Sequence, residues 1–174
     1  MSNNDVKIKY DNTELNRIMR MLKEEYTLRV GIMGSKAEKQ NHEKSDVTNA
    51  ELGTFHEFGT SKMPERSFLF RPLEQEMQFT NPEMKELKSA VFKQFFIKNT
   101  PKQFFMDLGT KAMAVIEEAF NTNGFGEWKP LAESTERQFS KARKRNNKKN
   151  GYQILTDTGK LRGSIDIRIL KRGS

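Results

Sequence analysis

The 174-residue chain contains no cysteine. Disulfides, thiolate metal sites and a cysteine nucleophile are therefore excluded. Histidine is almost as scarce: His42 and His56 are the only two, too few for a zinc site without thiolates. His56–Glu57 begins like a zinc-binding HExxH helix, but Thr60 stands where the second histidine would be. The phosphate-binding patterns GxxxxGKS/T and GxGxxG are absent, and Gly31–Gly34 (GIMG) reads as a bare strand end. No apolar run approaches the ~18 residues that a membrane span needs. The opening MSNNDVKIKY lacks an apolar signal core, so the expectation is a soluble protein made in the cytoplasm, with no membrane partner.

Hydrophobic residues make up 34% of the chain and charged residues 31%, which implies a modest core and a single domain over 1–174. The chain also carries thirteen Phe and nine Met, and part of this set is expected at a partner surface, where both types are enriched. Net charge is +8, of which seven charges fall in one acid-free stretch: Arg137, Lys141, Arg143, Lys144, Arg145, Lys148 and Lys149. The remainder is nearly neutral. The basic stretch reads either as a solvated loop or as a contact for phosphates or an acidic protein ring. Phe139 is its only aromatic residue, which gives little support to base stacking or sequence-specific readout.

Val6, Ile8 and Tyr10 alternate with lysines as in a half-exposed strand. Asp11 and Glu14 are spaced as a capping box before a helix whose apolar stripe is Leu15, Ile18, Met19 and Leu22. Tyr26–Met33 reads as a strand, and 34–46 as a long, flexible polar loop. Val47–Phe58 reads as a helix with Ala50, Phe55 and Phe58 on its apolar side, ended by Gly59. A turn around Pro64 leads to a short helix opened by Arg71–Pro72 and running to Phe79. Asn81–Pro82 and Thr100–Pro101 each look like an N-cap with proline at the first helical position, which predicts helices over 83–98 and 102–121. Further on the pattern predicts a helix over 133–144, a flexible basic loop over 141–151, a short strand over 152–155, a helical turn over 158–163 and a closing strand over 164–170. This order predicts an α+β fold with one small, mostly antiparallel sheet packed against several helices.

Candidate chemistry is thin. Ser134–Thr135 and Thr156–Asp157–Thr158 place hydroxyls beside acids, but no base and oxyanion site can be assembled with them, and helix capping accounts for them. The pairs Glu74/Glu76 and Glu117/Glu118 fall on expected exposed faces and read as solvated. Trp128, between Gly126 and Pro130, is expected to anchor the following segment to the core. The expectation is a protein without catalytic residues, cofactor or metal.

Three blocks carry a family resemblance. HEFGTSKMPERSFLFRPLE (56–74) is similar to a block of tailed-bacteriophage morphogenesis proteins. GEWKPLAEST (126–135) and ILTDTGKLRGSI (154–165) resemble blocks of the phage Mu-like virion-morphogenesis, or tail-completion, family. Ser67 and Phe70 stand where the family often has Pro and Arg, and the Trp block here follows the EFG block. The resemblance implies a virion structural protein of the neck or tail end: a tail-completion or tail-terminator protein, or a head–tail connector. It also implies a homo-oligomeric ring, commonly a hexamer, around the DNA channel, in contact with connector and tail-tube or sheath proteins. Loops 34–46 and 141–151 are then candidate arms. Phe58, Met63, Phe68 and Phe70 are candidates for one protomer face, with Arg66, Arg71 and Arg162 binding carboxylates across it. Phe68 and Leu69 read equally well as caps on the protomer's own core.

Overall fold

The computed structural model describes residues 12–39, 46–78, 80–97, 101–137, 154–155 and 159–172. In chain order these form α1 (Thr13–Leu22), β1 (Tyr26–Ile32), α2 (Ser35–Glu38), α3 (Asn49–Phe58), α4 (Phe70–Glu76), α5 (Pro82–Ile97), α6 (Pro101–Asn121), α7 (residues 133–137), α8 (Lys160–Ser164) and β2 (Ile165–Lys171). The fold is α+β, as the sequence pattern implies.

The sheet is one antiparallel pair. Tyr26 lies opposite Lys171 and Ile32 opposite Ile165, so an early and a late segment of the chain are joined. The alternation in both strands sets Leu28, Val30 and Ile32 against Ile169, Ile167 and Ile165 on the face that α6 covers. On the opposite face Arg29 and Arg168 are direct cross-strand neighbours.

Helix α6 is the central support. Ala112, Val115, Ile116, Ala119 and Phe120 are buried along it, at the spacing expected of one helical stripe. The core joins Ile116 and Phe120 to Phe68, Trp128, Ile154, Leu161 and Ile165, with Val30, Ile32, Leu69 and Leu73 packed around them. Phe68 and Phe120 pack with tilted rings at 5.2 Å between centroids, and Trp128 meets Phe120 edge-on at 5.9 Å.

Several sequence expectations are revised. Helix α3 begins after Thr48, whose hydroxyl and Glu51 form a reciprocal capping box. Its buried side is Asn49, Gly53 and Glu57, whereas Phe55 is 37% exposed and Phe58 72% exposed, so the helix is turned the opposite way from the pattern of apolar residues. The cause is close approach: Ile32 Cδ1 fills the space that a side chain at position 53 would need. Within 34–46, Ser35–Glu38 is helical and tied to α3, because Asn49 Nδ2 donates to the Lys36 carbonyl at 2.9 Å. That portion is not a free arm, and 40–45 lies outside the described residues. Residues 154–155 form a turn where a strand was expected.

Other boundaries agree. Asn81 Oδ1 accepts the Glu83 N–H at 3.0 Å ahead of α5, and α6 begins at Pro101. Helix α1 departs from the expected capping box: its N-cap is Asn12, without a side-chain cap, and Glu14 pairs with Arg17. The expected strand at 6–10, the Asp11 and Thr100 caps, the 156–158 hydroxyls and the basic loop 141–151 all lie outside the described residues.

Candidate functional site

The block 56–74 folds around one buried carboxylate. Glu57 is 6% exposed. Its Oε1 accepts the Ser67 hydroxyl at 2.6 Å and the Phe70 N–H at 2.7 Å. Its Oε2 accepts the N–H groups of Phe68 at 3.0 Å and Leu69 at 3.1 Å. These are main-chain donors leading into and opening α4, which have no partner within that helix. A buried carboxylate is tolerated only when its lone pairs are filled, and here four donors fill them.

The turn that brings position 57 to positions 67–70 has its own requirements. Gly59 has φ +71°, and a Cβ there would stand 2.8 Å from the Glu65 main-chain nitrogen. A glycine meets both conditions. The Thr60 hydroxyl accepts the N–H groups of Lys62 and Met63 at 3.2 and 3.0 Å. The Arg66 N–H returns to the His56 carbonyl at 2.7 Å and closes the loop.

The first block is then locked to the second. Arg66 is 5% exposed, and its guanidinium donates to the carbonyls of Lys129 and Pro130, both at 3.1 Å. Trp128 Nε1 donates to the Ser67 carbonyl at 2.9 Å. Gly124, at φ +66°, leaves room for the Trp128 ring, which would collide with any side chain at that position. The third block joins through Arg162, which binds Glu117 and Asn121 of α6 and lies 5.8 Å from the centroid of the Phe120 ring. Sequence separations of 41 to 64 residues are thus closed by side chains of the three blocks.

His56 sits at the edge of this core. Burial, followed by the nearby Arg66 charge, pushes its imidazole down to about 4, so it is neutral at pH 7. Its Nδ1 has no hydrogen-bond partner among the described residues.

The candidate interface residues separate by location. Phe68 is fully buried and Arg66 is nearly so; both belong to the protomer's interior and are corrected out of the exposed face. Their geometry explains it: Phe68 packs against Phe120, and main-chain carbonyls occupy Arg66. Arg71 pairs with Glu65 at 2.7 Å at the surface, and Arg162 is held by α6. Phe58 and Phe70 do face outward, at 72% and 62% exposure, and Met63 is half-buried. Arg137 pairs with Glu133 at 2.9 Å, while Lys141, Arg143, Lys144, Arg145, Lys148 and Lys149 lie outside the described residues.

Phe58 and Phe70 flank an open groove of about 710 Å³ between α3 and α4, lined by Val30 and Ile32 of β1 and by Ala50, Leu69 and Leu73. Sequence reasoning found the two rings but not the groove. The apolar lining is shared among three elements, β1, α3 and α4, and the inverted face of α3 is what opens it. Among the described residues no group of acids and histidines is arranged to hold a metal ion, and no helix is long and apolar enough to cross a membrane. No protein-family model matches the chain, and no curated protein or solved structure is significantly similar to it.

Proposed function

We propose that this chain is a structural subunit of the neck or tail end of a tailed-phage particle, acting as a tail-completion, tail-terminator or head–tail connector protein. In this reading it assembles into a ring, of six copies by the family resemblance, around the DNA channel. Its place is the neck or tail end of the virion, and it has no enzymatic role. The observation that carries the reading is how the resemblance blocks are used. Their buried polar side chains, Glu57, Arg66 and Trp128, bind the main chain. The blocks thereby build a rigid shape and leave an apolar groove with exposed phenylalanines beside it. Exposed apolar surface rimmed by polar groups is what a protein-docking face requires.

The test is the mass of the purified protein by light scattering, alone and with tail-tube and connector proteins. A closed oligomer, or a stable complex with either partner, is the expected result. A strict monomer that binds neither defeats the reading. Salt-sensitive DNA binding by that monomer, abolished when Lys144, Arg145, Lys148 and Lys149 are replaced by Gln, would favour a nonspecific nucleic-acid-binding protein working through Arg137–Lys149.

A further inference from the structure

The sheet turns one face to α6 and the other outward. On the outer face Thr27 lies opposite Leu170, Arg29 opposite Arg168 and Gly31 opposite Asp166. Thr27, Arg29, Arg168 and Leu170 are all exposed. The other charges along this face are answered: Lys36 stands 3.9 Å from Asp166, and Arg172 pairs with Glu25 at 2.6 Å. Arg29 and Arg168 have no carboxylate and no hydrogen-bond acceptor among the described residues. Every other described arginine donates to an oxygen of the protein, from Arg17 on Glu14 to Arg172 on Glu25. The two exceptions are neighbours on one surface.

Like charges directly opposite each other across a sheet repel and cost stability. Two guanidiniums so placed, with no acid between them, are suited to an anion from outside. Arg168 is also seated: its guanidinium lies over the turn after β1, in space that any side chain at Gly34 would take. The planar fork and weak hydration of guanidinium match phosphate oxygens. The ribbon supplies a shape, because a two-stranded antiparallel ribbon is an element that the major groove of DNA admits. A chain of net charge +8 also draws a polyanion toward it. An acidic protein would answer the charge but gives no reason for the ribbon.

We propose that the outer face of the β1–β2 ribbon binds the phosphate backbone of double-stranded DNA, with Arg29 and Arg168 each on a phosphate. The contact is independent of base sequence, since phosphates carry none. It goes beyond the architectural reading and does not need it; in a ring around DNA this face lines the channel.

Anisotropy of a labelled mixed-sequence duplex, titrated with the full-length protein over a salt series, tests the contact. Each phosphate contact contributes about 0.9 to the slope of log affinity against log salt. Arg29→Gln with Arg168→Gln should therefore lower the slope by about 2 and weaken binding at low salt roughly 10-fold or more. Arg29→Lys with Arg168→Lys keeps both charges and should keep most of the slope. Arg17→Gln with Arg20→Gln removes the same charge from α1 and should leave the slope as it is. Arg29 and Arg168 are exposed and hold no other group, so their Gln variant should melt no lower than the wild type. Three results overturn the proposal: a wild type that binds no duplex at low salt, an Arg29/Arg168 Gln variant with the wild-type slope, and equal losses in the two Gln variants, which would mean that only overall charge is felt. If the pair instead governs binding to an acidic tail-tube or connector protein and leaves duplex binding unchanged, the ribbon is a protein-docking face and the proposal falls. Light scattering decides the ring reading and the salt series decides this contact, so the two fail on different measurements.

Discussion

Replacing Glu57 by Gln keeps the length of the side chain and one acceptor oxygen. Whichever way the amide turns, its NH2 group takes the place of an oxygen that accepts at least one main-chain N–H. At least one N–H donor at the start of α4 then faces a donor. The expected loss is about 2–3 kcal/mol in urea unfolding, and an unchanged midpoint would mean that these donors find other partners. Trp128 is 8% exposed, packs on Phe120 and holds Ser67 through its indole N–H. Trp128→Ala should therefore lower stability by roughly 3–5 kcal/mol. His56 gives a pH signature. Its folded value, about 4, lies below its ordinary 6.5, so the native state resists protonation. Its contribution to stability is complete above pH 6.5 and is lost as pH falls from there toward 4. Thermal midpoints across that window should drop more steeply in the wild type than in His56→Gln. Trp128 lies in the core, as the sequence leads one to expect, whereas Glu57 reads as a surface acid until positions 67–70 are brought to it.

Helix boundaries follow local chemistry, and several could be read directly. Asn81–Pro82 marks the start of α5 because both the side-chain acceptor and the fixed proline φ act within one turn. The Thr48–Glu51 capping box is equally local, and Thr48→Ala should cost about 1 kcal/mol, measured as a shift in the urea midpoint. The orientation of α3 is another matter. Its apolar residues suggest Ala50, Phe55 and Phe58 inward, and the structure buries Asn49, Gly53 and Glu57. Hydrophobic periodicity assumes that the core takes the greasiest face. Here the satisfied carboxylate and the small Gly53 fit the tight space beside Ile32, and the aromatic side is left out. Helix α2 was missed because SKAE, at four residues, is too short to show periodicity, and contact with Asn49 holds it.

For the molecule as a whole, the proposed assembly carries a thermodynamic consequence. If copies associate through surface that is open in the protomer, folding is linked to concentration. The thermal midpoint of the wild type should rise with protein concentration. A midpoint independent of concentration in the wild type would argue against self-assembly. The positive charge acts on a different level. Seven of the eight net charges lie within Arg137–Lys149, so long-range attraction for a polyanion centres on that stretch and falls with salt.

The chain's own pattern determined the α+β class, the two strands, the long α6 stripe and the N-cap of α5. Each depends on interactions within a few residues or on strict alternation, which composition and spacing record. Tertiary structure alone decided that Arg66 and Phe68 lie inside, that Glu57 staples the start of α4, and that a groove opens beside two exposed phenylalanines. Those outcomes rest on contacts closing up to 64 residues of chain, and such a partner cannot be read from the residues on either side of it.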